Sequence, residues 1–321
     1  MNRAAYDAAR EASVLAWRED RTVLALEGRD PVAMLQGLAS NDVRPAAAGR
    51  CVYATLLTPK GRMVADLRVL PGGDGALLLD VPTAAAEEVA AHFGRFVPPR
   101  MARLGPSQYA ILGLYGPDAI SRAAGVLDGT SAAADEDALT GAPDGTLAVG
   151  TRYAGVPGLD LVAERGRLVD LAAALAANGV PPIDADTLDV LRIEAGSPRW
   201  GAEIDDRRLP IEAGLTERAI SQSKGCYTGQ EVIVRILHRG HVNWHLRGFE
   251  AGGEPHPLAP GDELTEPGAD KTVATVTSAA ISPRLGPIAL GYARRELEPG
   301  AALATAGGAS VRMVALPFGG G

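Results

Sequence analysis

At 321 residues the chain is long enough for about two domains and for a core that takes roughly three quarters of its unfolded surface out of water. Its 31 basic and 39 acidic residues leave a net charge of −8, so nothing draws the whole molecule to nucleic acid or anionic lipid, and any anionic ligand has to be held by local cations. Arg3, Asp7, Arg10, Glu11 and Arg18 interrupt the stretch where a signal peptide needs an apolar segment, no long apolar run follows, and the expectation is a soluble cytoplasmic protein without membrane partners. Cys51 and Cys226 lie far apart with no C-x-x-C, which argues against a disulfide framework, a structural zinc site or a self-ligated iron-sulfur cluster.

In chain order, Thr22–Leu26 (TVLAL) predicts a strand, and GRDPVAMLQGLASND then offers Asp30 as a helix N-cap with Pro31 at the first helical position. RMVADLRVL alternates Met63, Ala65, Leu67 and Val69 against Val64, Asp66, Arg68 and Leu70, and PGGDG turns it into GALLLDV, which predicts a hairpin. Asp66 and Arg68 share a strand face, where a simple ion pair is expected. YAILGL followed by YGPDAISRAAGVL repeats the order strand, glycine, aspartate, helix, a weak sign of an internal repeat. From Leu127 to Gly145 the chain is small, polar and acidic, and a surface loop is expected. TLAVGTRY and GLDLVAE read as strands, then a helix runs from about Arg167 to Ala177 and stops at Asn178 and Gly179. Strand and helix signals are mixed rather than strictly alternating, which favours an α+β fold.

ADTLDVLRIEAG predicts a helix whose last turn holds Glu194, where a carboxylate opposes the helix dipole and invites a role beyond helix stability, such as accepting parallel N–H bonds from a flat heterocycle. In SKGCYTGQEVIVRILHRGH, Thr228 and Glu231 have capping-box spacing, so Cys226 is expected just before a helix N-terminus and two residues from Lys224, a setting that favours a thiolate. His238, His241 and His245 are split by Gly240 without a carboxylate placed nearby, and no metal site is expected. A phosphate-loop motif is absent, so ATP is not expected either. Beyond His245, short β segments separated by Gly/Pro turns read as a small barrel; six Lys/Arg against eight Asp/Glu make it a poor nucleic-acid binder.

LRIEAGSPRWGAEID, LTPKGRMVADLRV and GRDPVAMLQGLASNDV resemble the tetrahydrofolate-binding fold of the glycine cleavage T protein (aminomethyltransferase) superfamily, and TVATVTSAAISPRLGPIALGYA with the terminal VALPF resembles its C-terminal barrel. KGCYTGQE, from Lys224 to Glu231, is similar to the signature of the YgfZ-type branch, folate-binding proteins implicated in assembling or repairing iron-sulfur enzymes. The resemblance implies a three-lobed folate-binding fold, with two intertwined α+β lobes over residues 1–244 and a β-barrel over 245–321. It implies tetrahydrofolate or a one-carbon derivative as cofactor, with Glu194 on the pterin, and Lys224, Cys226 and Tyr227 at the mouth of a central folate channel. Arg235 and Arg239 are candidates for the anionic folate tail and Trp200 for stacking on a ring. Asp66 matches an acidic position of the aminomethyltransferases, but Ala65 stands where a second carboxylate belongs. The leading expectation is thus a folate-binding accessory protein serving iron-sulfur client or assembly proteins through Cys226, with Asp66 and Lys224 as further reactive groups. The alternatives are a tetrahydrofolate-dependent aminomethyltransferase and a folate-binding regulatory module. The first reading requires Glu194 and Cys226 to open on one cavity.

Overall fold

The computed structural model describes residues 1–130, 135–252 and 258–319. Strands Val52–Leu57, Met63–Pro71, Leu77–Pro82, Arg21–Gly28 and Ala102–Pro106 form, in that spatial order, a first antiparallel sheet. The predicted hairpin is present, with Val69 opposite Leu79. Its alternating pattern does not give one wet face, because every residue of Met63–Pro71 up to Leu70 is buried. Leu67 and Val69 pack with Val89 and Phe93 of helix Ala86–Phe96, whereas Leu70 joins Val23, Ile111, Val149 and Val162 in a cluster contributed by both sheets.

The second sheet runs Val14–Trp17, Tyr109–Tyr115, Gly158–Glu164, Leu147–Thr151, Leu139–Gly141. Leu112, Leu114, Leu159 and Leu161 line its core under helices Ala119–Val126 and Arg165–Ala177, the latter starting two residues before its expected position. The segment expected to be surface loop is only partly so: Leu139–Gly141 pairs with Leu147–Thr151, and both oxygens of Asp137 accept from Arg218. Tertiary pairing compensates the low apolar content there; residues 131–134 of that segment lie outside the described residues. An unanticipated helix, Arg3–Glu11, is capped by Asn2, whose side chain accepts from the Ala5 amide, and buries Tyr6 and Ala9 near helix Ala185–Glu194.

Strands Trp244–Ala251, Gly286–Arg294, Thr272–Ser282, Glu263–Thr265, Ala302–Thr305 and Ser310–Val314 close into a barrel around Phe249, Leu264, Val276 and Met313. Outside it, Ile193 of helix Ala185–Glu194 meets Leu246, Ile288, Tyr292 and Phe318. Arg192, fully buried, donates to Glu203 at 2.7 Å and to Ser278 at 2.6 Å, which ties that helix to the barrel. The whole is α+β, as expected.

Candidate functional site

The turn after Val14–Trp17 carries the chain from the second sheet to the first, and brings Arg18 and Arg21 into the seam between them. Opposite them stand Asp66 and Arg68 on Met63–Pro71, Tyr53 on Val52–Leu57, and Asp160 on Gly158–Glu164. Arg21 donates to Asp66 Oδ2 at 2.8 Å and to Asp80 Oδ1 at 2.5 Å. Arg68 reaches Asp80 Oδ2 at 2.6 Å and Asp160 Oδ2 at 2.7 Å, so the expected Asp66–Arg68 pair is not formed: Asp66 is taken by Arg21 from another strand of its own sheet, and Arg68 by Asp80 and, across the seam, by Asp160. Burial works against the charged form of Asp80, but Arg21 and Arg68 outweigh it and hold the carboxyl below its ordinary value. Tyr115 donates to Asp160 at 2.7 Å, and burial pushes the hydroxyls of Tyr53 and Tyr115 well above the ordinary phenol value.

One atom is left over. Asp66 is buried, and while its Oδ2 accepts from Arg21 and from the Tyr53 hydroxyl at 3.2 Å, its Oδ1 has no partner among the described residues. A buried carboxylate oxygen without a donor forgoes about 1–3 kcal/mol. Asp66 also lines two adjoining cavities of about 90 and 380 Å³, which have Arg18, Arg21, Asp66, Tyr153 and Pro198 in common. A third, of about 610 Å³, shares Ala84 and Trp200 with the second and carries Lys60, Arg62 and Arg95 together with Glu88, Asp205 and Asp206 on its wall. The arrangement can receive a flat, N–H-bearing group beside Asp66.

The residues anticipated from sequence are dispersed. Asp66 and Trp200 do border the same cavity. Glu194 lines a different cleft, of about 440 Å³, that has no lining residue in common with the Asp66 cavities. Its carboxylate already accepts from Tyr6 Oη at 2.7 Å, from Ser282 Oγ and from Arg10. Cys226 is exposed and borders neither hollow. The expectation that Glu194 and Cys226 open on one cavity is therefore corrected. Helix Ala185–Glu194 directs its last turn toward Arg3–Glu11 and the barrel, whereas Cys226 sits on a loop docked against the first sheet.

That loop is held firmly. Lys224 Nζ donates to the carbonyls of Gln36, Ala39 and Asn41 at 2.7, 2.7 and 2.8 Å. Tyr227 is buried with Tyr53, Leu57, Met63 and Ile233. The expected capping box is absent: helix Gln230–Arg239 begins after Gly229, which occupies the cap with φ +83° and no side-chain bond, while the Thr228 amide donates to Gly37. A Cβ at Gly229 would lie 2.6 Å from the Thr58 carbonyl, so the turn at Thr58–Gly61 dictates glycine there and displaces Thr228 from the cap. Arg235 and Arg239 are exposed on this helix.

Sequence reasoning missed Arg18, Arg21, Tyr53, Asp80, Tyr153, Asp160 and Arg218. The R-E-D-R run from Arg18 reads as a solvated turn, and nothing local to it signals burial. Arg218, whose guanidinium lies 4.0 Å from the centre of the Tyr53 ring, comes from a short helix with no motif.

Two antiparallel sheets joined face to face around a charged cavity, with a six-stranded barrel docked on helix Ala185–Glu194, define a three-lobed class of fold. The glycine cleavage system aminomethyltransferase T from Bartonella henselae shares it, with a TM-score of 0.87 over 98% of this chain and 88% of that one, at 21% identity. Residues 6–224 match the family described as the GCVT N-terminal domain. An aminomethyltransferase of Rubrobacter xylanophilus is 30% identical over 307 residues, spanning 92% of this chain and 80% of that protein. One from a Nostoc species is 27% identical over 286 residues, spanning 85% and 74%. The chain belongs to the GCVT family, within the glycine cleavage T protein and aminomethyltransferase superfamily. Among the described residues no helix is long and apolar enough to cross a membrane.

Proposed function

We propose that this protein is a cytoplasmic, YgfZ-type accessory factor that binds tetrahydrofolate or a one-carbon derivative and supports the assembly or repair of iron-sulfur enzymes. The observation that carries the folate reading is the unpartnered Oδ1 of buried Asp66 beside the central cavities. A pterin offers amino and ring N–H donors, and each charge-assisted bond to a carboxylate contributes about 1.5–3 kcal/mol. Trp200 borders the same space and supplies an aromatic face. The YgfZ-type assignment rests on KGCYTGQE, in which Lys224, Tyr227 and Gly229 hold the loop and leave Cys226 exposed to meet a client protein or a transient sulfur or metal.

A second reading, a tetrahydrofolate-dependent aminomethyltransferase, is favoured by the same free carboxylate oxygen, which would serve as acid/base or electrostatic group next to a folate nitrogen. Ala65, in place of a second carboxylate, weighs against it.

Calorimetry with tetrahydrofolate tests the seat of the ring. Asp66→Asn is expected to weaken binding tenfold or more, one lost charged bond being worth at least that factor. Glu194→Gln is expected to have a smaller effect. The reverse ranking would move the ring to the Glu194 cleft, unchanged affinity in both would remove both seats, and absence of binding to the parent would reject the folate reading. In a deletion strain, Cys226→Ser should fail to restore iron-sulfur enzyme activities while keeping its folate affinity; full restoration would remove the accessory role. A folate-dependent product formed from methylamine-type donors would instead favour the transferase.

A further inference from the structure

The cleft of about 440 Å³ around Glu194 has a composition that the folate reading does not use. Arg10 comes from helix Arg3–Glu11, Arg152 from the turn after Leu147–Thr151, and Arg284 from the turn between Thr272–Ser282 and Gly286–Arg294. Pro317, Phe318 and Gly319 of the returning C-terminal segment complete the wall. Three segments distant in sequence thus converge three guanidinium groups on one space. Gly155, at φ +66°, lets the turn bearing Arg152 close on the helix end, where an added Cβ would lie 3.0 Å from that of Ala195.

The single carboxylate of the cleft is already committed. Glu194 accepts from Tyr6, Ser282 and Arg10, and Arg284 stands off at 3.8 Å. Arg152 lines the cleft without an ion-pair partner among the described residues, and Arg10 Nε is buried with no acceptor. Three cations against one anion leave an excess of two positive charges, in a chain whose net charge is −8. Guanidinium groups held together in a concave site repel one another, and a ligand with paired anionic oxygens both relieves that repulsion and matches the geometry of the fork.

We infer that this cleft is a second binding site, separate from the central cavity, for a small organic anion bearing two or more carboxylate or phosphate oxygens. The volume exceeds what a lone inorganic ion needs, and Phe318 and Pro317 provide an apolar side for a short carbon skeleton. Ligand there would bridge the N-terminal helix, the second sheet and the barrel.

The test is calorimetric titration of the full chain with citrate and, separately, with glycerol phosphate, which distinguishes the carboxylate from the phosphate source. One of them is expected to bind with one-to-one stoichiometry. Arg152→Ala combined with Arg284→Ala should weaken that binding tenfold or more; both side chains are exposed, so thermal unfolding should be unchanged. Tetrahydrofolate affinity should be the same in the double variant and the parent. Absence of saturable binding by both probes, binding that ignores the double variant, or displacement of the probe by tetrahydrofolate would each overturn the inference. Failure of the folate reading shows elsewhere, in the response of tetrahydrofolate to Asp66→Asn.

Discussion

Lys224 directs its ammonium at three backbone carbonyls, those of Gln36, Ala39 and Asn41, which matches the three donors of the charged form. Replacing it with Met strands three acceptors and should cost on the order of 3 kcal/mol or more in urea unfolding. Burial pushes its pKa down to about 8, with Asp42 pulling the other way. Below that value folded and unfolded chains are both protonated, and the burial cost is present in full. Between about 8 and the ordinary 10.5 the folded protein has released a proton that the unfolded chain still holds, so stability rises with pH. The advantage of the parent over Lys224→Met should therefore grow across that interval, and a flat or falling difference would contradict this account. The two cysteines offer a second check. Cys51 is buried, and desolvation together with Asp137 pushes its thiol far up, whereas Cys226 is exposed. A thiol reagent should titrate one equivalent in the native protein and two in denaturant.

Gly229 sets the entry to helix Gln230–Arg239 through its left-handed conformation and its contact with the Thr58 carbonyl. Gly229→Ala should destabilise the protein by about 2 kcal/mol or more, combining backbone strain with overpacking. Gly225→Ala, four residues earlier in the same loop, meets nothing within 4 Å and should be close to neutral. Similar urea midpoints for the two variants would show that the Thr58 contact does not dictate the loop. The element also shows how far local reading reaches. The apolar face around Ile233 and the stop near Gly240 were legible, because helical periodicity is a short-range property. The cap was not, because the packing of a turn more than 160 residues away chose glycine over Thr228.

Across the molecule, cohesion between the lobes and the barrel passes through buried charge. Glu203 accepts from Arg192 and, on its other oxygen, from Thr277 at 2.8 Å and Ser278 at 2.6 Å, and both Arg192 and Glu203 are fully buried. Glu203→Ala leaves Arg192 with Asp189, Ser278 and a long bond to the Ser197 carbonyl, and should lower unfolding stability by about 3–5 kcal/mol. A loss under about 1 kcal/mol would mean that the barrel is held chiefly by the apolar cluster around Phe318.

The α+β class, the Met63–Leu79 hairpin and the barrel strands could be read from the chain itself, because strand alternation and turn chemistry act between near neighbours, whereas Asp66 became a candidate only through the family resemblance. Which charges are buried, which carboxylate keeps a free oxygen, and which groups share a hollow were decided only when the two sheets met. The Arg18–Arg21 turn and Asp160, 139 residues apart by Arg21, become neighbours there through sheet packing, and Glu194 is turned away toward the barrel. Burial and shared space are properties of segments distant along the chain, and no local pattern encodes them.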